Sequence, residues 1–128
     1  MHGFVYCPGS INLKPFNNLK IREFQNDFQI NFLGVIKLLQ NLYPALKEAE
    51  TSFVVLYITV AVQTGISYHA SLASAKGALE GLARSLAAEW SSNFIRVNAI
   101  ALSLTNTPLS SRLISSNEKK KMLLQGIL

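Results

Sequence analysis

The 128-residue chain predicts an α/β fold built on a parallel sheet, and three observations lead there. Apolar runs at 4–6, 53–59 and 95–100 alternate with long helix-type stretches, giving the order strand, helix, strand, helix, strand. The second run, Phe53-Val54-Val55-Leu56-Tyr57-Ile58-Thr59, is continuous rather than alternating, as in a parallel strand covered on both faces. The stretches between runs are long enough for right-handed crossover helices.

Each element has its own signal. Phe4-Val5-Tyr6 is a short strand that runs into a Cys7-Pro8-Gly9-Ser10 turn. From Ile21 the pattern becomes helical, with Phe24, Phe28, Val35, Leu39, Leu42 and Leu46 recurring at three-, four- and seven-residue spacings. Phe32 and Ile36 widen that stripe, and Pro44 is expected to kink or divide the helix near Tyr43. Gln63-Thr64-Gly65 reads as a loop before a helix from about Ser71 to Trp90. A turn at Ser91-Ser92-Asn93 leads to the strand Ile95-Arg96-Val97-Asn98-Ala99-Ile100. The tail holds Thr105-Asn106-Thr107-Pro108, a weaker helix over 109–114 and a basic segment to Leu128.

Composition narrows the class. Hydrophobic residues make up 49% and charged residues 15%, which fits one well-buried domain over 1–128 and excludes a disordered chain. The longest apolar run, Phe53 to Val62, is about half the roughly 20 residues of a membrane span, so no membrane partner is expected. The first eight residues lack the basic and apolar regions of a signal peptide, and the single Cys7 excludes an internal disulfide framework. Both features lead to an expected cytoplasmic location. The net charge of +5 is scattered apart from Lys119-Lys120-Lys121, which reads as a solvated helix face, and nucleic acid is not an expected partner.

The densest chemical signal is Ser71-Leu72-Ala73-Ser74-Ala75-Lys76-Gly77-Ala78-Leu79-Glu80-Gly81-Leu82, a small-residue helix holding one lysine. Leu72 lies four positions before Lys76 and therefore on the same helix face. Lys76, Glu80 and Arg84 also form a ladder of four-residue spacings, the pattern of exposed helix ion pairs. Asn31 is a polar amide inside an apolar stripe, where it needs hydrogen-bond partners. Gly77 and Gly81 would allow another helix to approach closely.

The 71–82 segment resembles the catalytic segment of the short-chain dehydrogenase/reductase family, whose motif is a tyrosine, three residues and a lysine. Further matches follow in register. Cys7-Pro8-Gly9 is similar to the turn after the family's fourth strand, usually Asn-Ala-Gly. Asn31 matches the helix asparagine that holds a water in the proton relay, and Thr59 stands where the family carries its serine, thirteen residues before the tyrosine position. The 95–100 strand is similar to the family's sixth strand, and Leu102-Ser103-Leu104-Thr105-Asn106-Thr107 takes the place of a Pro-Gly-x-x-x-Thr segment.

The resemblance implies a partial Rossmann-type, three-layer fold, doubly wound in the full family, in which this chain is the C-terminal portion without the first three strands. It implies NAD or NADP as cofactor and a small carbonyl or alcohol as substrate. The implied catalytic residues are Asn31, Thr59 and Lys76, and the implied cofactor-binding residues are Gly9, Lys76 and Thr107. It also implies a homo-oligomer packed through the helices at 21–48 and 71–90.

Departures from the pattern define the expected state of the site. Leu72 stands where the family has its phenol. A lysine ammonium at roughly 4 Å favours a phenolate by on the order of 4 kcal/mol. Leucine has no proton to exchange, and loss of a positioned general acid costs about 10²–10⁴ in rate. The Thr-Gly-x-x-x-Gly-x-Gly turn that seats a pyrophosphate does not occur in the 128 residues. Tyr68 and His69 are candidate replacements for the proton donor. Tyr68 stands about 12 Å from Lys76 along a helix axis, and His69 has the alternative of capping the loop before the helix. Two readings stay open: an impaired oxidoreductase relative, and a truncated non-catalytic homologue acting through association.

Overall fold

The structure, a computed structural model, describes residues 1–103 and Pro108. Three strands, β1 (Gly3–Tyr6), β2 (Ser52–Thr59) and β3 (Ile95–Leu102), form a parallel sheet in the order β1-β2-β3. Val5 is in register with Val55, and Val55 with Asn98. Helix α1 (Ile21–Phe28) passes through a π-helical turn, Gln29–Leu33, into α2 (Gly34–Glu48). A single turn, α3 (Ala61–Thr64), and the long α4 (Ala70–Trp90) connect β2 to β3. This is the parallel α/β arrangement expected from the alternating runs, and it is of the Rossmann type that the family resemblance implies.

The core lies between the sheet and one layer of helices. Val54, Leu56 and Ile58 of β2 pack with Val35, Leu39 and Leu46 of α2 and with Leu79 and Ala83 of α4. The opposite face differs from the expectation for β2. Phe53 is 38% exposed beside the fully buried Val54, and Val5, Ile100 and Leu102 on the same face are exposed too. The continuous apolar pattern encodes two buried faces, but the helices among the described residues cover one.

Two further expectations are corrected. Pro44 does not divide the helix, which runs unbroken from Gly34 to Glu48. Pro44 is exposed, so the carbonyl left without its backbone partner lies on the wet side, where the loss is small. The segment read as a loop at 63–65 is instead the end of α3. The backbone N–H groups of Gln63 and Thr64 and the Thr64 hydroxyl all donate to the Val60 carbonyl, and Gly65 leaves the turn at φ +70°. The weaker helix at 109–114 and the basic cluster at 119–121 lie outside the described residues.

The helical irregularity sits elsewhere, at the π-helical turn. Tyr6 of β1 reaches across and donates its hydroxyl proton to the Ile30 carbonyl at 2.5 Å. A Cβ on Gly34 would lie 3.1 Å from that hydroxyl, so the glycine provides the room. A wide turn that frees backbone carbonyls suits this cross-link. Asn31 is at its centre.

Candidate active site

The C-terminal ends of β1 and β2 converge with the loop at 7–14, the π-helical turn and the first turns of α4. In open parallel sheets this end is where ligands bind. Four of the residues singled out from sequence meet here: Gly9, Asn31, Lys76 and, one turn before Lys76, Leu72. A Cβ placed on Gly9 would lie 3.3 Å from Asn31 Oδ1 and 3.9 Å from Lys76 Nζ. Gly9 is itself exposed, so the space between the two polar atoms opens to solvent.

Lys76 is only 8% exposed, as is Leu72. Its Nζ turns inward and donates to the Tyr57 carbonyl of β2 at 2.8 Å. The expected ion-pair ladder is therefore only half formed: Arg84 and Glu80 pair at 2.6 Å, but Lys76 is drawn into the site. Among the described residues no carboxylate pairs with it. Burial holds its pKa below the ordinary lysine value, because desolvation disfavours the ammonium, while the nearby Cys7 sulfur opposes that shift.

Asn31 is fully buried, and its amide nitrogen donates to the Asp27 carbonyl at 2.8 Å and to Ser10 Oγ at 3.0 Å. These are the structural bonds an amide in an apolar stripe requires. Its Oδ1 has no partner among the described residues. Among the described residues it is the buried side-chain polar atom left without a partner, and it faces Gly9.

Thr59 closes β2, with its Oγ1 accepting the Ala61 N–H at 3.2 Å, so the hydroxyl sits at the start of α3. Of the proposed donors, Tyr68 is exposed at φ +66°. His69 occupies the N-cap position of α4, but its Nδ1 is engaged with the Ser67 carbonyl at 2.8 Å and caps no helical N–H. Thr107 lies outside the described residues.

Sequence reasoning missed the group that holds the corner together. Asp27 is fully buried without a cationic partner among the described residues. Its Oδ1 accepts Ser10 Oγ at 2.5 Å and Asn12 Nδ2 at 3.1 Å, and its Oδ2 accepts Ser71 Oγ at 2.5 Å. The carboxylate thus ties the loop beside Gly9 to the residue preceding Leu72. The available signal was an acid four residues before Asn31 on the stripe of α1, a position where burial demands compensation.

The comparisons with known proteins agree with this architecture. A family model described as enoyl-(acyl carrier protein) reductase matches residues 1–127. A tropinone reductase homolog of Arabidopsis thaliana is 35% identical over 113 residues, which is 88% of this chain and 43% of the relative. A second, chloroplastic homolog from the same plant is 32% identical over 118 residues, 92% of this chain and 37% of the relative. The chain thus spans less than half the length of these relatives. A short-chain type dehydrogenase/reductase from Mycobacterium ulcerans superposes with a TM-score of 0.88 at 22% identity, over 94% of this chain and 44% of that one. A 4-hydroxyisoleucine dehydrogenase mutant complexed with NADH and succinate superposes at 0.86 and 21%, over 94% of this chain and 50% of its own. With a family match over nearly its whole length, a shared sheet and helix order, and the lysine helix in place, the chain belongs to the short-chain dehydrogenase/reductase family of oxidoreductases.

Proposed function

We propose that this chain carries the nicotinamide side of a short-chain dehydrogenase/reductase site in a catalytically impaired form. The observation behind this reading is the pair Leu72 and Lys76. Both are buried, one helical turn apart, with the leucine where the family places its acid–base phenol. Lys76 has a cation to offer and no phenol to tune. It turns to the Tyr57 carbonyl instead.

The residues fit one end of NAD or NADP. Gly9 leaves an opening that a side chain would fill, bordered by the Lys76 ammonium and Asn31 Oδ1, which suits ribose and amide groups. The cofactor supplies hydride exchange when bound. Lys76 would hold its ribose, Gly9 would admit its close approach, Asn31 would position a water, and Thr59 would donate to the carbonyl of a small carbonyl or alcohol substrate. Thr107 takes its cofactor role from the family resemblance alone. No pyrophosphate cradle of the Thr-Gly-x-x-x-Gly-x-Gly type stands in the 128 residues.

Titration of the purified chain with NADH and NADPH, followed by cofactor fluorescence, tests the reading. Saturable micromolar binding with turnover at least about 10²-fold below that expected with an intact general acid supports it. Turnover at the unimpaired level overturns it. Leu72→Tyr alone is expected not to restore reduction, because the anion seat is still lacking.

A second reading, association without catalysis, has its own support. Ile30, Leu33 and Leu38 are exposed on the helical stretch at 21–48, and a side chain on Gly81 of α4 would meet no atom within 4 Å. Small and apolar surfaces on these two helices suit a second copy. Light scattering distinguishes a dimer from a monomer, and absence of nucleotide binding up to millimolar would favour this reading over the first.

A further inference from the structure

We propose that Lys76 is a carbonyl-capturing amine: its Nζ forms a reversible imine with small aldehydes or ketones that enter over Gly9, without any nucleotide. The inference goes beyond hydride exchange and does not depend on it.

Three features single out this lysine. First, Lys76 is 8% exposed, and among the described residues it has no carboxylate partner, whereas Lys14 pairs with Glu23 and Arg84 with Glu80. Among the described residues the buried acid is Asp27, and its oxygens are occupied by Ser10, Asn12 and Ser71. Second, one turn back on the same face stands the buried Leu72, an apolar side chain that has no counter-charge to offer the ammonium. Desolvated lysines without a counter-ion are the ones that act as imine-forming nucleophiles at neutral pH. The direction of the Lys76 pKa agrees. Third, the nitrogen is within reach. Gly9 and Cys7 at the rim are exposed, and the space above Gly9 is bordered by Nζ and by the unpaired Asn31 Oδ1.

The chemistry balances with these groups. The ammonium first gives one proton to solvent, and one of the two remaining Nζ hydrogens stays on the Tyr57 carbonyl while the freed lone pair adds to the carbonyl carbon. The C–N bond forms, the C=O π electrons move to oxygen, and a proton passes from nitrogen to that oxygen to give a carbinolamine. Asn31 Oδ1 is the acceptor for the new hydroxyl. Expulsion of that hydroxyl, with a proton from solvent, releases water and leaves a protonated C=N bond, whose remaining N–H stays on the Tyr57 carbonyl. No oxidant or reductant is consumed, and hydrolysis reverses the step.

The test uses the full chain without nucleotide, propanal as the probe and cyanoborohydride to trap any imine as a propyl-lysine, with peptide mass spectrometry reading each of the eight lysines. Lys76 is expected to be trapped at pH 7 several-fold faster than exposed Lys37, because a desolvated amine without a counter-ion keeps more of its free form. Gly9→Ala, which places a methyl group in the entry space at a position with no positive φ, is expected to slow trapping at Lys76 and leave Lys37 unchanged. Equal or slower trapping at Lys76 than at Lys37 in the unmodified chain overturns the proposal, as does a Gly9→Ala chain trapped at the original rate. Neither outcome bears on nucleotide binding, so the oxidoreductase reading stands or falls separately.

Discussion

Replacing Asp27 with alanine removes the acceptor for three side-chain donors in one corner of the fold. Ser71 Oγ is fully buried and would be left with no partner, a penalty of about 1–3 kcal/mol. Ser10 would keep the bond it accepts from Asn31 but lose the bond it donates, and Asn12, only partly buried, would turn to water. Together these cost about 1–2 kcal/mol more. Against this stands relief from burying a carboxylate, which is small because the three hydrogen bonds already offset most of that cost. The net expectation is a loss of about 3 kcal/mol, or roughly 10 °C in Tm for a chain of this size. Asp27→Asn keeps volume and one acceptor oxygen and should lose about half as much. Thermal and urea unfolding followed by circular dichroism measure both. An Asp27→Ala chain within about 0.5 kcal/mol of the original would refute the reasoning, because desolvation relief would then cancel the whole network.

Other expectations follow from the same geometry. Because Lys76 has a lower pKa folded than the ordinary 10.5, the unfolded chain binds more protons between those two values, and the folded state gains stability as pH rises through that window. Lys76→Met has no such gain, so urea unfolding should show the original chain improving relative to the variant as pH climbs toward 10.5; a flat or falling difference contradicts the assignment. Tyr6→Phe deletes the hydroxyl bond to the Ile30 carbonyl and should cost about 1–2 kcal/mol, with exchange protection lost first at the π-helical turn. The two faces of β2 should respond unequally. Leu56→Ala, fully buried, should cost about 2–5 kcal/mol, and Val55→Ala on the open face much less. Equal losses would mean that the second face is covered in solution.

Much of the local geometry of the candidate site was legible because its residues act locally. The Leu72–Lys76 spacing is a property of one helix, and it holds in the structure with both side chains on the buried side. Asn31 was recognisable as a polar break in an apolar stripe, and it proved to be bonded to its own helix through the Asp27 carbonyl. Asp27 itself was not recognised, since the side chains that satisfy it lie on the loop after β1 and on α4, with 44 residues separating it from Ser71. The Lys76–Glu80–Arg84 ladder failed for a related reason. Spacing places three side chains on adjacent turns, but only the packing of α4 on β2 decided that Lys76 turns inward to Tyr57.

By itself the sequence determined the α/β class and the strand and helix order, which follow from periodicity, and the family resemblance with Leu72 four positions before Lys76, which follows from residue identity along the chain. Only the tertiary structure decided which face of the sheet is covered, where the helix widens, and that a buried carboxylate and a buried amine lie on either side of the same corner. Those outcomes depend on which distant side chains share a low-dielectric space. A linear pattern carries the need for such partners without naming them.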